Sequence, residues 1–339
     1  MKMMNDWLAC LGVGFGLVAC GGSEPAPAAP PPATATSAVA APQPSVAAVA
    51  APSVPPAPPT PPAPKLKLRV ITGSPEGFLV NSTLVTGDKD AVLIDAQFTI
   101  ADGKRVADAV KESGKNLTLV YVTHSHPDHY FGFVSIKDAF PNAKLVALPA
   151  TVAEIGKTWE AKVKQWKPMY KEGITAKPFL PEPLAGNTLD LEGEKLEVTG
   201  GVQGDESENS YVRVPSLNAL VTGDIVYDEV FPWTAETNVD QRHAWEGLLD
   251  KLAATNPALL VPGHQKPERV QAPENLGFTK NYLLAFDEAL AASKKPKELE
   301  DKLKAKYPNA ALDVILKIGA EAALKKPAKE KPTKEKPAK

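Results

Sequence analysis

Leu117-Thr118-Leu119-Val120-Tyr121-Val122-Thr123-His124-Ser125-His126-Pro127-Asp128-His129 runs a continuous strand-like segment straight into a crowd of metal-ligating side chains. In an extended chain, residues two apart point to the same side. His124 and His126 can therefore reach one cation together. The chain then turns at Pro127, and Asp128 and His129 can face a second cation. Imidazole nitrogens and a carboxylate suit a catalytic zinc site, provided one coordination position stays open for water. The plain alternative is a polar loop whose histidines merely cap neighbouring elements. The chain has only five histidines, at 124, 126, 129, 243 and 264, and three of them fall in this run. That density, directly after a buried strand, favours a metal centre.

Outside this run, the composition narrows the chemistry. Both cysteines, Cys10 and Cys20, lie near the N-terminus, so any metal is held by nitrogen and oxygen. The 38 basic and 40 acidic side chains balance, which argues against a nucleic-acid partner. At 339 residues the chain can hold one large catalytic domain, but 34 prolines are too many for that domain alone. The apolar run 7–19 follows Lys2 and is short for a membrane span. It ends in Leu17-Val18-Ala19-Cys20-Gly21, which resembles a bacterial lipobox. The expectation is an exported protein, anchored in the cell envelope through a lipid on Cys20. Residues 1–20 then form a signal peptide and 21–64 a Pro/Ala-rich disordered linker. Residues 65–324 form the catalytic domain, and 325–339 a Lys/Pro-rich disordered tail.

Within the domain, apolar runs and turn residues predict strands at 66–72, 78–86, 91–95, 117–123, 144–148, 188–198, 209–214, 219–222 and 258–261. Helical spacing marks 100–111, 132–140, 151–167, 241–254 and 275–292. Mixed strands and helices in this order suggest an α/β fold of two facing sheets with helices outside.

The run His124-x-His126-x-Asp128-His129 resembles the signature of the metallo-β-lactamase superfamily, and three further segments agree in order and context. Ala91-Val92-Leu93-Ile94-Asp95 resembles that family's early strand ending in an aspartate. Leu220-Val221-Thr222-Gly223-Asp224 resembles its strand ending in Gly-Asp, and Leu260-Val261-Pro262-Gly263-His264 its strand ending in Gly-His. The resemblance implies a four-layer αββα sandwich and two divalent metal ions, zinc first and manganese or iron as alternatives. It implies that Asp224 bridges the two metals and that His264 completes the second. One ligand departs from the pattern. Between Gly200 and Ser210, where the family carries a histidine, this chain has none. Aligning Asn209 with the family's polar position puts Asp205 in its place, with Gln203 and Glu206 as competitors. The expected metal ligands are then His124, His126 and Asp205 on one side, and Asp128, His129 and His264 on the other, with Asp224 shared. Asp95 is expected to orient a histidine ligand from behind. Asp128 is also expected to act as the catalytic residue that orients a metal-bridging hydroxide or takes its proton. Phe231 and Trp233 are candidates for the pocket wall, Trp159, Trp166 and Tyr170 for a lid, and His243 for a surface position.

The implied function is metal-dependent hydrolysis of an ester, lactone or β-lactam-type bond in a small molecule. The rival is a degenerate binding module with one weak metal and no catalysis. A di-iron oxidoreductase is a third reading, but such enzymes carry a flavin domain for which this chain has no room.

Overall fold

The computed structural model describes residues 65–267 and 269–325. The expected signal peptide, the Cys20 anchor, the linker and all but the first residue of the tail lie outside the described residues.

Strands β1 (Lys67–Thr72), β2 (Asn81–Thr86) and β3 (Asp90–Ile94) form an antiparallel meander. Helix α1 (Ile100–Glu112) then crosses over to β4 (Asn116–Val122), which lies parallel to β3. Its entry is fixed by Thr99, whose side chain accepts from the Asp102 backbone N–H and satisfies a donor the helix leaves unpaired. Helix α2 (Phe133–Ala139) leads to β5 (Lys144–Ala147), and the long helix α3 (Pro149–Tyr170) to the short β6 (Glu182–Pro183). These six strands form the first sheet in chain order.

The second sheet takes β7 (Thr188–Leu191), β8 (Glu194–Val202), β9 (Asn209–Val214) and β10 (Ala219–Val221). After a two-residue β11 (Tyr227–Asp228), α4 (Val239–Ala254) crosses to β12 (Leu259–Val261), which pairs parallel with β10. Asn238 and Gln241 close a capping box at the start of α4. β13 (His264–Gln265) pairs with β11, placing His264 opposite Tyr227. Helices α5 (Asn275–Ala291), α6 (Pro296–Lys306) and α7 (Asp313–Ala323) follow.

Alternation along the strands sets the layers. Val92, Ile94 and Tyr121 face Leu196, Val212 and Val221 between the sheets. The opposite side of the first sheet, with Leu93, Val120 and Val122, packs on Val106, Val110 and Ile136 of α1 and α2. The outer side of the second sheet, with Leu220 and Leu260, packs on Trp245, Leu249 and Leu283 of α4 and α5. A fully buried aliphatic side chain stabilises such a sandwich by about 1.5–3 kcal/mol relative to exposure. The result is the expected α/β arrangement of two sheets between helices.

Three local expectations change. The single strand over 188–198 is a hairpin, β7–β8, because Glu192 (φ 54°) and Gly193 (φ 88°) both adopt the left-handed backbone that a tight two-residue turn needs. The strand expected from Phe78 begins only at Asn81, since Phe78 and Leu79 turn through φ 61° and 58°. Helices α6 and α7 lie in a stretch for which no element was expected.

Candidate metal centre

The ends of β3, β4, β10 and β12 converge on one edge of the sandwich, and the β8–β9 connection joins them there. β4 ends at Val122, and a single 3-10 turn over Pro127–His129 then swings the chain back across the edge. The Gly-Asp and Gly-His junctions have a steric reason. Gly223 has φ 49°, and a Cβ there would stand 2.6 Å from Thr123 Oγ1. A Cβ on Gly263 would stand 2.2 Å from Asp224 Oδ1. Only glycine lets these two loops pass so close to each other.

The structure brings His124, His126, Asp205 and Asp224 into one buried group and Asp128, His129 and His264 into an adjacent one. Within each group the donor atoms lie within 4.8 Å of one another. Asp224 faces both groups. Its Oδ1 is 3.1 Å from His129 Nε2, and its Oδ2 is 3.1 Å from His264 Nε2 and 3.7 Å from His124 Nε2. Of the three candidates for the departing ligand, it is Asp205 that enters the cluster, with Oδ2 2.9 Å from His126 Nδ1. Asn209 donates to its other oxygen at 2.9 Å. Gln203 turns away to backbone carbonyls. Glu206 accepts from Ser125 and, alongside Glu236, faces the outer nitrogen of His126, its own Oε2 3.9 Å from Nε2.

The backs of the rings decide which nitrogen faces inward. His129 Nδ1 donates to Asp95 Oδ2 at 2.8 Å, and His264 Nδ1 donates to the Phe78 carbonyl at 2.6 Å. A nitrogen facing an acceptor carries the proton, so in the neutral ring the inward Nε2 keeps its lone pair. Asp95 also accepts from the Thr123 backbone and hydroxyl, which ties β3 to the start of the histidine run.

Charge in the cluster is tightly coupled. Burial pushes the Asp205 carboxyl up to about 7. Asp224 is held well below the carboxylate range, against its own burial, by His264, His129 and His124. Burial and the neighbouring His129 depress His124 well below the ordinary imidazole range, so its ring is neutral and available as a donor. The Nε2 atoms of His124, His126 and His129 and Oδ1 of Asp224 are buried without hydrogen-bond partners. Buried polar atoms are rarely left so. His126 Nε2 is turned toward Glu236 and its Nδ1 toward Asp205, while His124 and His129 Nε2 gather at Asp224, an arrangement that fits divalent cations in both groups.

Tyr227 was absent from the sequence reading. It is buried, stacks on His264 at 5.2 Å, and its hydroxyl donates to Asp224 Oδ2 at 2.7 Å. Burial and the flanking Asp205 and Asp224 raise its phenol well above the ordinary range, so it stays a donor. Its place three residues after Asp224, in Gly223-Asp224-Ile225-Val226-Tyr227, was the available signal. Glu236, at 3.4 Å from His126 Nε2, was missed as well, and nothing in its sequence context marks it.

A cleft opens above the cluster, floored by His126, Asp128, Asp224 and His264. Phe231 and Trp233 line it, and so does Trp166 of α3. Trp166, Phe78, Phe98 and Tyr170 form one aromatic group, while Trp159 packs only against the neighbouring core. His243 is exposed, 3.8 Å from Asp287.

The family model of the metallo-β-lactamase superfamily matches residues 75–264, more than half of the chain. A Bacillus subtilis (strain 168) protein, the uncharacterized YobT, is 34% identical over 76 residues, 22% of this chain and 32% of that one. The chain thus spans about a third of that curated relative. A metallo-β-lactamase family protein from Thermus thermophilus superposes with a TM-score of 0.55 at 20% identity, covering 77% of this chain and 92% of its own. A metallo-β-lactamase from Pontibacter korlensis gives a TM-score of 0.48 at 19% identity, covering 66% and 97%. The likeness to the Thermus thermophilus structure carries the fold, the family model carries the membership, and the chain belongs to the metallo-β-lactamase superfamily.

Proposed function

We propose that the protein is a metal-dependent hydrolase acting on an ester, a lactone or a related acyl bond. The observation that carries this reading is the pair of unpartnered, buried Nε2 atoms of His124 and His129 that face Asp224. His124, His126, Asp205 and Asp224 would hold one divalent cation, and Asp128, His129, His264 and Asp224 the other. Bound there, such cations supply Lewis acidity and make water a stronger acid near neutral pH. Each group offers two imidazoles and two carboxylates, a donor set that suits zinc and, with Asp205 in place of an imidazole, leaves the first group open to harder ions such as manganese or iron as well.

The chain's own residues supply the rest. Asp128 is the ligand carboxylate most open to the cleft, with Oδ2 3.5 Å from His264 Nε2. It is placed to take the proton of the attacking water and return it to the leaving oxygen. The water oxygen bonds to the acyl carbon, the bond to the leaving oxygen breaks, and acid and alcohol are the products. Tyr227 fixes the orientation of Asp224 through its hydroxyl. Trp166, Phe231 and Trp233 wall the cleft and limit bulk water around the reacting carbonyl.

The test is metal content by elemental analysis of the purified full chain, together with hydrolysis of aryl esters and lactones before and after chelation. About two metals per chain, and turnover that chelation abolishes and metal restores, are expected. One metal or none after loading with zinc, manganese and iron, and no turnover, would leave a binding module in its place.

A further inference from the structure

Two helices outside the sheets line the cleft above the cluster. α7 contributes Leu312 and Ile315, and α3 contributes Lys162, Gln165 and Trp166. α3 also reaches toward the cluster itself, through one carboxylate. Among the described residues, Lys162 is the only lysine or arginine lining the cleft, and its Nζ is 3.6 Å from Glu236 Oε1. The same oxygen is 3.4 Å from His126 Nε2. Glu236 thus stands between a helix of the wall and a ligand of the first group.

The His126 ring has few other ways to be held. Its Nδ1 points inward at Asp205 Oδ2, 2.9 Å away, so a cation in the first group meets that nitrogen and the proton belongs on Nε2. Nε2 is buried and makes no hydrogen bond. The carboxylates facing it are Glu236 and, at 3.9 Å, Glu206, both of whose oxygens already accept from Ser125. Glu236 is the nearer and the less engaged. Its side chain is 42% exposed, so it has room to close the gap to the roughly 2.9 Å of an N–H···O bond. A ligand histidine whose far nitrogen meets a carboxylate is held in one orientation, which raises its affinity for the cation.

We propose that Glu236 is a positioning residue for the first cation. By accepting from His126 Nε2 it keeps Nδ1 turned inward, and through Lys162 it ties that pose to α3. Cation binding then steadies the α3 wall, and by the same linkage a shift of α3 weakens the cation. This rests on the two-cation centre of the hydrolase reading and is independent of the bond that is cut.

The test reads zinc affinity of the full chain by competition against a chromophoric chelator, which resolves the two groups. Melting curves and hydrogen exchange, followed by mass spectrometry, are taken on the same samples. Glu236→Ala should weaken zinc in the first group about 10- to 100-fold and leave the second unchanged. Glu236→Gln keeps a neutral acceptor for Nε2 and should recover most of that loss. Lys162→Met should weaken the first group by up to about fivefold, the most a partly exposed ion pair gives. In the Glu236→Ala background the same substitution should have no effect, since the partner it acts through is gone. Zinc should slow exchange of the α3 amides in the parent. In Lys162→Met that slowing should vanish while the slowing around Asp128 persists. A first group that takes neither zinc nor manganese, equal losses in both groups, no recovery with glutamine, or a Lys162→Met effect that survives without Glu236 overturns the proposal. If these differences hold but no ester or lactone turns over, the hydrolase reading fails and the role of Glu236 stands. Metal-dependent turnover in a Glu236→Ala chain that binds zinc as tightly as the parent gives the reverse.

Discussion

The two halves of the centre are built to different standards of rigidity. On the Asp128 side, both imidazoles are backed by the interior: His129 by buried Asp95, His264 by the Phe78 carbonyl. On the other side, His124 rests on the buried Thr123 hydroxyl, but His126 is backed by Glu236 at the rim of the cleft, and Asp205 takes the place of a family histidine. The rings on the core-backed side lose little freedom when a cation binds. The rim-backed side depends on residues that also meet the substrate. The comparison predicts tight, substrate-independent binding in the second group and weaker, substrate-sensitive binding in the first.

The most severe way to break the comparison is to remove what the two sides share. Asp224→Ala should abolish binding in both groups and lower turnover by at least about 10³-fold, equivalent to the several kcal/mol a metal supplies. Elemental analysis and single-substrate kinetics check it. Retention of either cation would mean that Asp224 does not join the groups. Asp128→Asn comes next, with kcat falling about 10²- to 10⁴-fold as the proton acceptor is lost. Its melting temperature should stay close to that of the parent, because Asp128 is open to the cleft. Parallel loss of stability and activity would remove Asp128 from the chemistry.

Asp205→Ala and Asp205→His sharpen the contrast itself. The alanine variant should lose one cation and keep the other. The histidine variant should retain zinc against manganese better than the parent, since imidazole is the softer donor. Equal metal preference in parent and histidine variant would place Asp205 outside the coordination sphere. Asp95→Asn tests the core-backed side and should cost about 10- to 100-fold in affinity there, through the orientation of His129.

What the sequence made legible divides along the same line. The core-backed ligands follow strands whose apolar runs are continuous, as in Ala91–Ile94, Leu220–Val221 and Leu260–Val261, and short-range pattern finds them. The two glycines before Asp224 and His264 are steric necessities that leave a visible mark. The rim was harder to read. Glu236 reaches His126 only through the course of the chain after β11, and Lys162 reaches Glu236 only through the pose of α3. The contribution of α7 to the cleft depends on three C-terminal helices returning over the site, a long-range arrangement that no local period encodes. The hairpin at Glu192–Gly193 leaves only a small mark, Gly193 and a change of phase from Leu189 and Leu191 to Leu196 and Val198, which a single strand over 188–198 passes over.

Glu206 offers the finest test of the difference between the halves. It follows Asp205 directly, yet its carboxylate reaches across to the histidine run: Oε1 accepts from the Ser125 backbone N–H at 2.8 Å and Oε2 from the Ser125 hydroxyl at 2.7 Å. Ser125 sits between His124 and His126, so this clasp sets the spacing between the Asp205 loop and the two histidines it must meet. Glu206→Ala removes both acceptor oxygens and so both bonds, whereas a glutamine would keep them, its amide donating to the Ser125 hydroxyl. The stability cost should be about 1–3 kcal/mol, the loss of hydrogen bonds to a charged group. Cation affinity in the first group should fall by up to about tenfold, the lower end for an outer orienting residue. Affinity in the second group should not change, because its imidazoles take their orientation from Asp95 and Phe78. Competition against a chromophoric chelator, with melting curves on the same samples, resolves the two affinities. Equal loss in both groups would mean that Glu206 holds up the fold as a whole, and the contrast between a core-backed and a rim-backed side would collapse.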